Sequence, residues 1–248
     1  MTTSAPTPHA APVPAARPKN RLLDALPEAV YAALAPHLHS VTLDVREIVA
    51  LPGQPYEYVY FPEDSIISVV NVMRNGSTVE TGTIGREGVA GLPALMDAVT
   101  SESKLFGQVP GRSLRIRVDD IVPVLERERE LRRLVNRYSQ AYLTQVAQGA
   151  ACNRLHGIEQ RCARWLLMTR DRVAGDEFPL KQQFLAEMLG VRRAGVSVAA
   201  SALQEAALIR YSRGAVQVLD RDGLEAASCE CYAVIRRQFD RLLPRSES

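Results

Sequence analysis

Between Phe178 and Val216 the chain carries Lys181, Arg192, Arg193, Arg210 and Arg213 against only Glu187 and Glu205, a local surplus of +3. Those residue types suit nucleic acid. Cations displace the counterions condensed on a duplex and supply affinity independent of sequence, while one arginine can offer two N–H donors to the acceptors of a guanine. Neither effect reads a sequence unless a rigid element presents the side chains together, and the spacing predicts such an element. A first helix runs from Lys181 to a turn at Gly190 and a second follows, with Leu185, Leu189, Val191, Val196 and Ala199 at helical intervals for the buried faces. Ala186 is small where two helices must nearly touch, Gly190 can take the positive φ of a short helix-helix turn, and Val196 anchors the second helix. Arg192, Arg193, Ala194, Ser197, Val198 and Ser201 then share the outward face of that helix, the layout of a helix-turn-helix that enters a major groove. Ile209 to Leu219 reads as a hairpin turning at Ser212-Arg213-Gly214, a wing that carries Arg210 and Arg213. The alternative is an ordinary three-helix core with a solvated basic face.

Thiols and imidazoles offer the other chemistry. Cys152, Cys162, Cys229 and Cys231 are too few for a disulfide framework in 248 residues. Cys229 and Cys231 fall two apart in a predicted helix, where side chains diverge by about 200° and cannot easily share a metal. No CxxC spacing or histidine partner accompanies them, so structural thiols and no metal site are expected. His37-Leu38-His39 invites comparison with a metal-holding barrel strand. The pair sits at the end of the N-terminal helices, ahead of the strands, and the remaining histidines are His9 and His156. A metalloenzyme is therefore the least favoured reading, and no cofactor or catalytic residue is assigned.

A net charge of +2 with 46% apolar and 23% charged residues describes a soluble globular chain, so nucleic-acid binding has to rest on a local patch. No segment approaches the roughly 18 apolar residues of a membrane span, and the N-terminus lacks the apolar run of a secretory signal. A cytoplasmic protein without membrane contact is the expectation.

The elements that must position the basic patch follow in order. Residues 1–20, rich in proline and alanine, read as a disordered tail. Residues 21–125 open with short helices to Leu38 and change to period two from Val41 to Val118. Tyr58 to Phe61, Ser65 to Met73, Thr78 to Ile84, Lys104 to Val109 and Ser113 to Val118 are the strand candidates, with Asn75-Gly76 predicted as a type I′ hairpin turn. Short strands with Gly and Pro corners suggest a sandwich or jelly roll. Residues 126–157 are helical, and Leu131, Val135, Tyr138, Tyr142, Gln145, Gly149 and Cys152 keep a near-heptad spacing that could lay a seam against a second copy. Residues 158–248 hold the DNA-reading unit. The fold class is α+β: an N-terminal β-roll, a long dimerisation helix and a C-terminal winged helix-turn-helix.

That order of parts, with LAEMLGVRRAGVSVAASALQEAALIRYSRG, Tyr60-Phe61-Pro62, Gly85-Arg86-Glu87-Gly88 and Gln160-Arg161-Cys162-Ala163-Arg164-Trp165-Leu166-Leu167, resembles the Crp/Fnr-type transcription regulators over about Leu22 to Cys231. The resemblance implies a homodimer on an inverted-repeat operator and a cyclic-nucleotide-binding-like roll that senses an effector. Double-stranded DNA is then the first partner, with RNA polymerase and an unidentified small molecule as candidate further ones. Of the three base readers in the best-known branch only the first is matched, by Arg193, while Ala194 and Val198 stand at the other two. The implied effector pocket is Gly85, Arg86, Glu87 and Gly88 with Val146 and Ala147 from the long helix. No arginine occurs between Glu87 and Gly111 to hold a cyclic phosphate, and no cysteine precedes Cys152 to hold an iron-sulfur cluster, so neither sensor chemistry carries over. The competing class is a ligand-sensing or interaction module with a vestigial DNA-binding unit.

Overall fold

A computed structural model describes residues 11–12 and 17–243. Most of the tail expected over 1–20, residues 1–10 and 13–16, lies outside the described residues. The rest is tied down: Ala11–Pro12 (β1) pairs with His39 and Ser40, and Arg17 reaches Glu28 at 2.7 Å while its guanidinium lies over Tyr31. Asn20 is buried because each of its polar atoms has backbone partners. Its carbonyl caps the helix Arg21–Asp24 (α1), and its amide donates to Pro62 O and Gly88 O, both at 2.9 Å.

After Glu28–Leu34 (α2) the chain enters a roll of two four-stranded sheets. One contains β1, His39–Leu43 (β2), Gly111–Arg117 (β8) and Tyr58–Pro62 (β4), in the order β1-β2-β8-β4. The other contains Ile48–Ala50 (β3), Lys104–Val109 (β7), Ile66–Val72 (β5) and Thr78–Ile84 (β6), in the order β3-β7-β5-β6. All ladders within the roll are antiparallel, and the inward side chains Val59, Phe61, Ile66, Ile67, Leu114 and Ile116 are almost wholly excluded from solvent. The β5–β6 hairpin forms where Asn75-Gly76 predicts one, but by a different turn. Five residues, Met73 to Ser77, lie between the strands, and only Gly76 takes positive φ. Asn75 acts through its side chain, which accepts from Ser77 N at 3.0 Å and Ser77 Oγ at 2.6 Å.

Val118–Arg127 (α3) leads into the 27-residue helix Arg129–Leu155 (α4). Here the predicted seam is corrected. Leu131, Val135, Tyr138, Gln145 and Cys152 are buried by their own chain, against the roll and the last helix, Cys231–Leu242 (α9). The solvent-facing stripe of α4 is Asn136, Gln140, Leu143, Ala147, Ala150 and Arg154, which also keeps alternating spacings of four and three. Heptad spacing shows that a helix has two such stripes. It does not say which one faces the chain's own core.

Ile158–Arg170 (α5), Glu177–Pro179 (β9), Gln182–Leu189 (α6), Arg193–Glu205 (α7), Ile209–Ser212 (β10), Ala215–Val218 (β11) and Arg221–Ala227 (α8) complete the chain. The C-terminal sheet runs β10-β11-β9. One contiguous core joins roll, long helix and C-terminal unit. At the junction Phe184 meets Phe106 edge to face at 6.1 Å and Arg46 pairs with Glu187 at 2.8 Å. Among the described residues no helix is long and apolar enough to cross a membrane.

Candidate nucleic-acid interface

The helix-turn-helix is built as its residue types require. Gly190 ends α6 in the left-handed region at φ 63°, ψ 37°, and its N–H and that of Val191 close back on the last turn of α6. A side chain there would be strained by that φ, and a Cβ would come within 3.1 Å of Val79 Cγ2 on the roll. Ala186 and Val196 are buried at the crossing of α6 and α7, and Leu185, Leu189, Ala199 and Leu203 fill the core beneath. Val191 is half-buried.

The opposite face of α7 is open. Arg192, Arg193, Ala194, Val198 and Ser201 are exposed, Val198 to 72%. An apolar side chain that exposed on a 13-residue helix has no packing role among the described residues. Ser197 is the half-buried member: its hydroxyl lies 2.8 Å from Gln182 Oε1 and 3.2 Å from Arg193 O, which fastens α7 to α6. Arg192 caps α7 with extended backbone and no side-chain hydrogen bond, so the first N–H groups of the helix keep the polarity that suits an anion.

The wing has the hairpin geometry that the roll's Asn75-Gly76 lacks. Ser212 pairs with Ala215, and the two residues between them, Arg213 and Gly214, have φ of 50° and 81°, the positive pair of a type I′ turn. Arg213 therefore stands exposed at the tip. Arg210 is exposed one strand back, with Gln217 Oε1 at 3.2 Å. β9 adds a third strand through Phe178↔Val216, a contribution that its three residues gave no periodic signal for.

The implied effector pocket is split: Arg86 and Glu87 line one cavity, Val146 lines another and Ala147 lines neither. Gly85, Glu87 and Gly88 are buried, Arg86 is exposed with its guanidinium 3.2 Å from Asp171 O, and Ala147 faces solvent on α4. Glu87 points inward onto Arg172, whose Nε donates to Glu87 Oε1 at 2.8 Å, with both side chains under a tenth exposed. Arg172 also donates to Met168 O at 2.7 Å and Gln145 Oε1 at 3.1 Å, and Gln145 Nε2 donates to Thr83 O at 3.0 Å. Tyr138 lies so close to Gly88 that a Cβ there would collide with its hydroxyl, and a Cβ at Gly85 would come within 2.7 Å of Arg172 Cδ. Val146 lines a separate cavity of about 140 Å³ with Glu80, Gly149, Arg164 and Trp165. Trp165 Nε1 donates to Glu80 Oε1 at 2.7 Å and Ser68 Oγ to Glu80 Oε2 at 2.6 Å. Burial pushes the Glu80 carboxyl up to about 7 against the pull of those donors and of Arg164 and Arg172.

The thiols and imidazoles are placed differently from what their spacing predicts. Cys229 lies before α9 and Cys231 is its first residue, so the two do not share a helix and the divergence argument does not apply. Both thiols meet Cys152 and His156, 73 to 79 residues earlier in the chain, a proximity that no local spacing signals. His39 is the first residue of β2 rather than ahead of the strands, but it is exposed, and His37 faces Asp120 at 3.6 Å.

Residues 160–227 match the family model described as a Crp-like helix-turn-helix domain. Among solved structures the chain is similar to TTHB099, a CRP-family transcriptional regulator from Thermus thermophilus, with TM-score 0.64, 19% identity and coverage of 75% of this chain and 95% of that one. FixK2 from Bradyrhizobium japonicum gives TM-score 0.64 at 13% identity, over 77% of this chain and 98% of that one. The c-di-GMP responsive global regulator CLP of Xanthomonas campestris gives 0.61 at 16%, over 77% and 99%. The search of curated proteins found no match. At these identities the solved structures speak for the fold, and the family model for the C-terminal unit. The chain has the fold of the Crp/Fnr-type transcription regulators and carries a Crp-like helix-turn-helix domain at residues 160–227.

Proposed function

We propose that the chain is a sequence-specific DNA-binding transcription regulator that acts as a homodimer on an inverted-repeat operator, and that it has no enzymatic activity. Residues 158–248 form the DNA-reading unit, 126–157 the dimerisation helix and 21–125 the sensory roll, in the cytoplasm. The observation that carries the reading is the outward face of α7, where Arg192, Arg193, Ala194, Val198 and Ser201 are solvent-exposed while Ala186 and Val196 behind them are buried and Gly190 makes the left-handed turn. In this reading Arg193 contacts a base, Arg192, Arg210 and Arg213 hold phosphates, and Ser197, Ser201, Ala194 and Val198 shape the surface against the base edges.

The dimer contact moves from the inward stripe of α4 to the outward one. Leu143, 62% exposed, supplies a large apolar side chain, and Ala147 and Ala150 at heptad spacing are small enough to let two helices approach closely. A small-molecule effector remains part of the proposal. It does not sit where Glu87, Arg172 and Tyr138 already fill the roll, and contact with RNA polymerase would follow once the dimer is on DNA.

Fluorescence anisotropy of a labelled genomic promoter pool at several salt concentrations tests the reading. Binding should weaken linearly in log–log coordinates as salt rises, with a slope of about −0.9 per phosphate neutralised. Binding that ignores salt, or none at low salt, would sink it.

A further inference from the structure

We infer that Cys152, His156, Cys229 and Cys231 form a tetrahedral zinc site that ties the α8–α9 turn to the joint between α4 and α5. Their four candidate ligand atoms all lie within 4.8 Å of one another, with Cys152 Sγ 3.5 Å from Cys229 Sγ and Cys231 Sγ 3.5 Å from His156 Nδ1. Zinc bound by thiolates at about 2.3 Å and an imidazole at about 2.0 Å sets neighbouring ligand atoms about 3.5 to 3.8 Å apart, so the observed set needs only small rotations. The elements already hold it. Cys152 lies in the last turn of α4 and His156 caps that helix, its backbone N–H donating to Cys152 O at 3.1 Å, and Cys229 and Cys231 straddle the start of α9.

The surroundings point to a metal more than to packing. His156 Nε2 lies 3.2 Å from Glu230 Oε2, which leaves Nδ1 toward the thiols and gives the ring the carboxylate partner that metal-bound histidines usually have. Three buried thiols form a cluster of their own, separate from the main core. Arg161 and Arg164, on the adjoining α5, are both under a tenth exposed and neither forms an ion pair among the described residues. The Nε atoms of both lack a hydrogen-bond partner among the described residues. A zinc centre with three thiolates and a neutral imidazole carries a net charge of −1, a sign that suits two buried guanidiniums on the adjoining helix. Binding releases the three thiol protons to solvent and leaves the histidine neutral. The ring of His156, 17% exposed, gives the ion a way in from solvent.

The test uses full-length protein, stripped with a chelator under reducing conditions and titrated with cobalt(II). The expected result is an intense thiolate-to-cobalt absorption with the visible bands of a tetrahedral ion, saturating at about one equivalent per chain and abolished by zinc. Cys229→Ser should weaken the charge-transfer band and the affinity for cobalt. Glu230→Gln, at a position whose side chain is 73% exposed and so not needed for folding, should bind zinc about 10- to 100-fold more weakly while circular dichroism stays unchanged. The inference fails if the reduced protein binds neither ion, or if Cys229→Ser binds as the parent does. It also fails if Cys152 and Cys229 are recovered as a disulfide that reductant opens without creating metal binding.

Discussion

Arg172, two residues beyond α5, inserts into the roll and donates to Glu87 Oε1 at 2.8 Å, so a side chain from the DNA-reading side of the molecule occupies the region where the resemblance places an effector. Both groups are almost fully buried, and an ion pair in that setting persists only while both partners are present. Arg172→Ala should therefore destabilise the protein by about 3 to 5 kcal/mol in urea unfolding, and Glu87→Gln combined with Arg172→Met should recover much of that loss. Equal stability of Arg172→Ala and the parent would show that the pair carries no such energy.

The same pair predicts that cyclic AMP and cyclic GMP do not bind. A cyclic phosphate needs a free cation in a dry site, but Arg172 is committed to Glu87, Gln145 and Met168 O, and Arg86 lies outside on Asp171 O. Calorimetry with either nucleotide should show no heat, and operator affinity should not change. Micromolar binding lost on Arg86→Ala would contradict this.

Glu80 gives a pH dependence with a defined sign. Its folded pKa is raised from 4.5 to about 7, burial first, so between those values the folded state holds a proton that the unfolded state has lost. Stability from this group is fully present below about pH 4.5, falls as pH rises toward about 7, by no more than about 1.4 kcal/mol per unit, and is flat above. Glu80→Gln should flatten the fall in urea midpoints measured from about pH 5 to about pH 8. Parallel curves for the two proteins would refute the assignment.

What the sequence made legible divides by range. Short-range rules placed the roll strands β4 to β8, though not β1 to β3, and also the turn at Gly190 and the wing, because a positive φ, a small residue at a crossing and a two-residue hairpin are each set by a few neighbours. The failures were relationships between distant segments. Arg172 meets Glu87, Cys152 meets Cys229 and Trp165 meets Glu80 across some 77 to 85 residues, with no periodicity to announce them. The long helix failed for a different reason: its larger side chains, Leu131 and Tyr138 among them, go to the chain's own core and leave Leu143 and small residues outward.

Base reading and phosphate holding should separate. Arg193→Ala is expected to cost about 1 to 3 kcal/mol and relax preference at one position of each half-site, whereas Arg213→Ala should weaken all sequences alike and reduce the salt slope by about one. Competition binding against single-base variants of the operator distinguishes the two, and the opposite pattern would reverse the roles.

The central claim, a two-fold regulator reading DNA through α7, is tested most directly by selecting bound fragments from random duplex DNA with the purified full-length protein. The recovered sites should be inverted repeats with half-site centres about one helical turn, roughly 34 Å, apart, and Leu143→Asp, placed on the outward stripe of α4, should abolish their enrichment. Sites without dyad symmetry, recovered equally well by Leu143→Asp, would contradict the account.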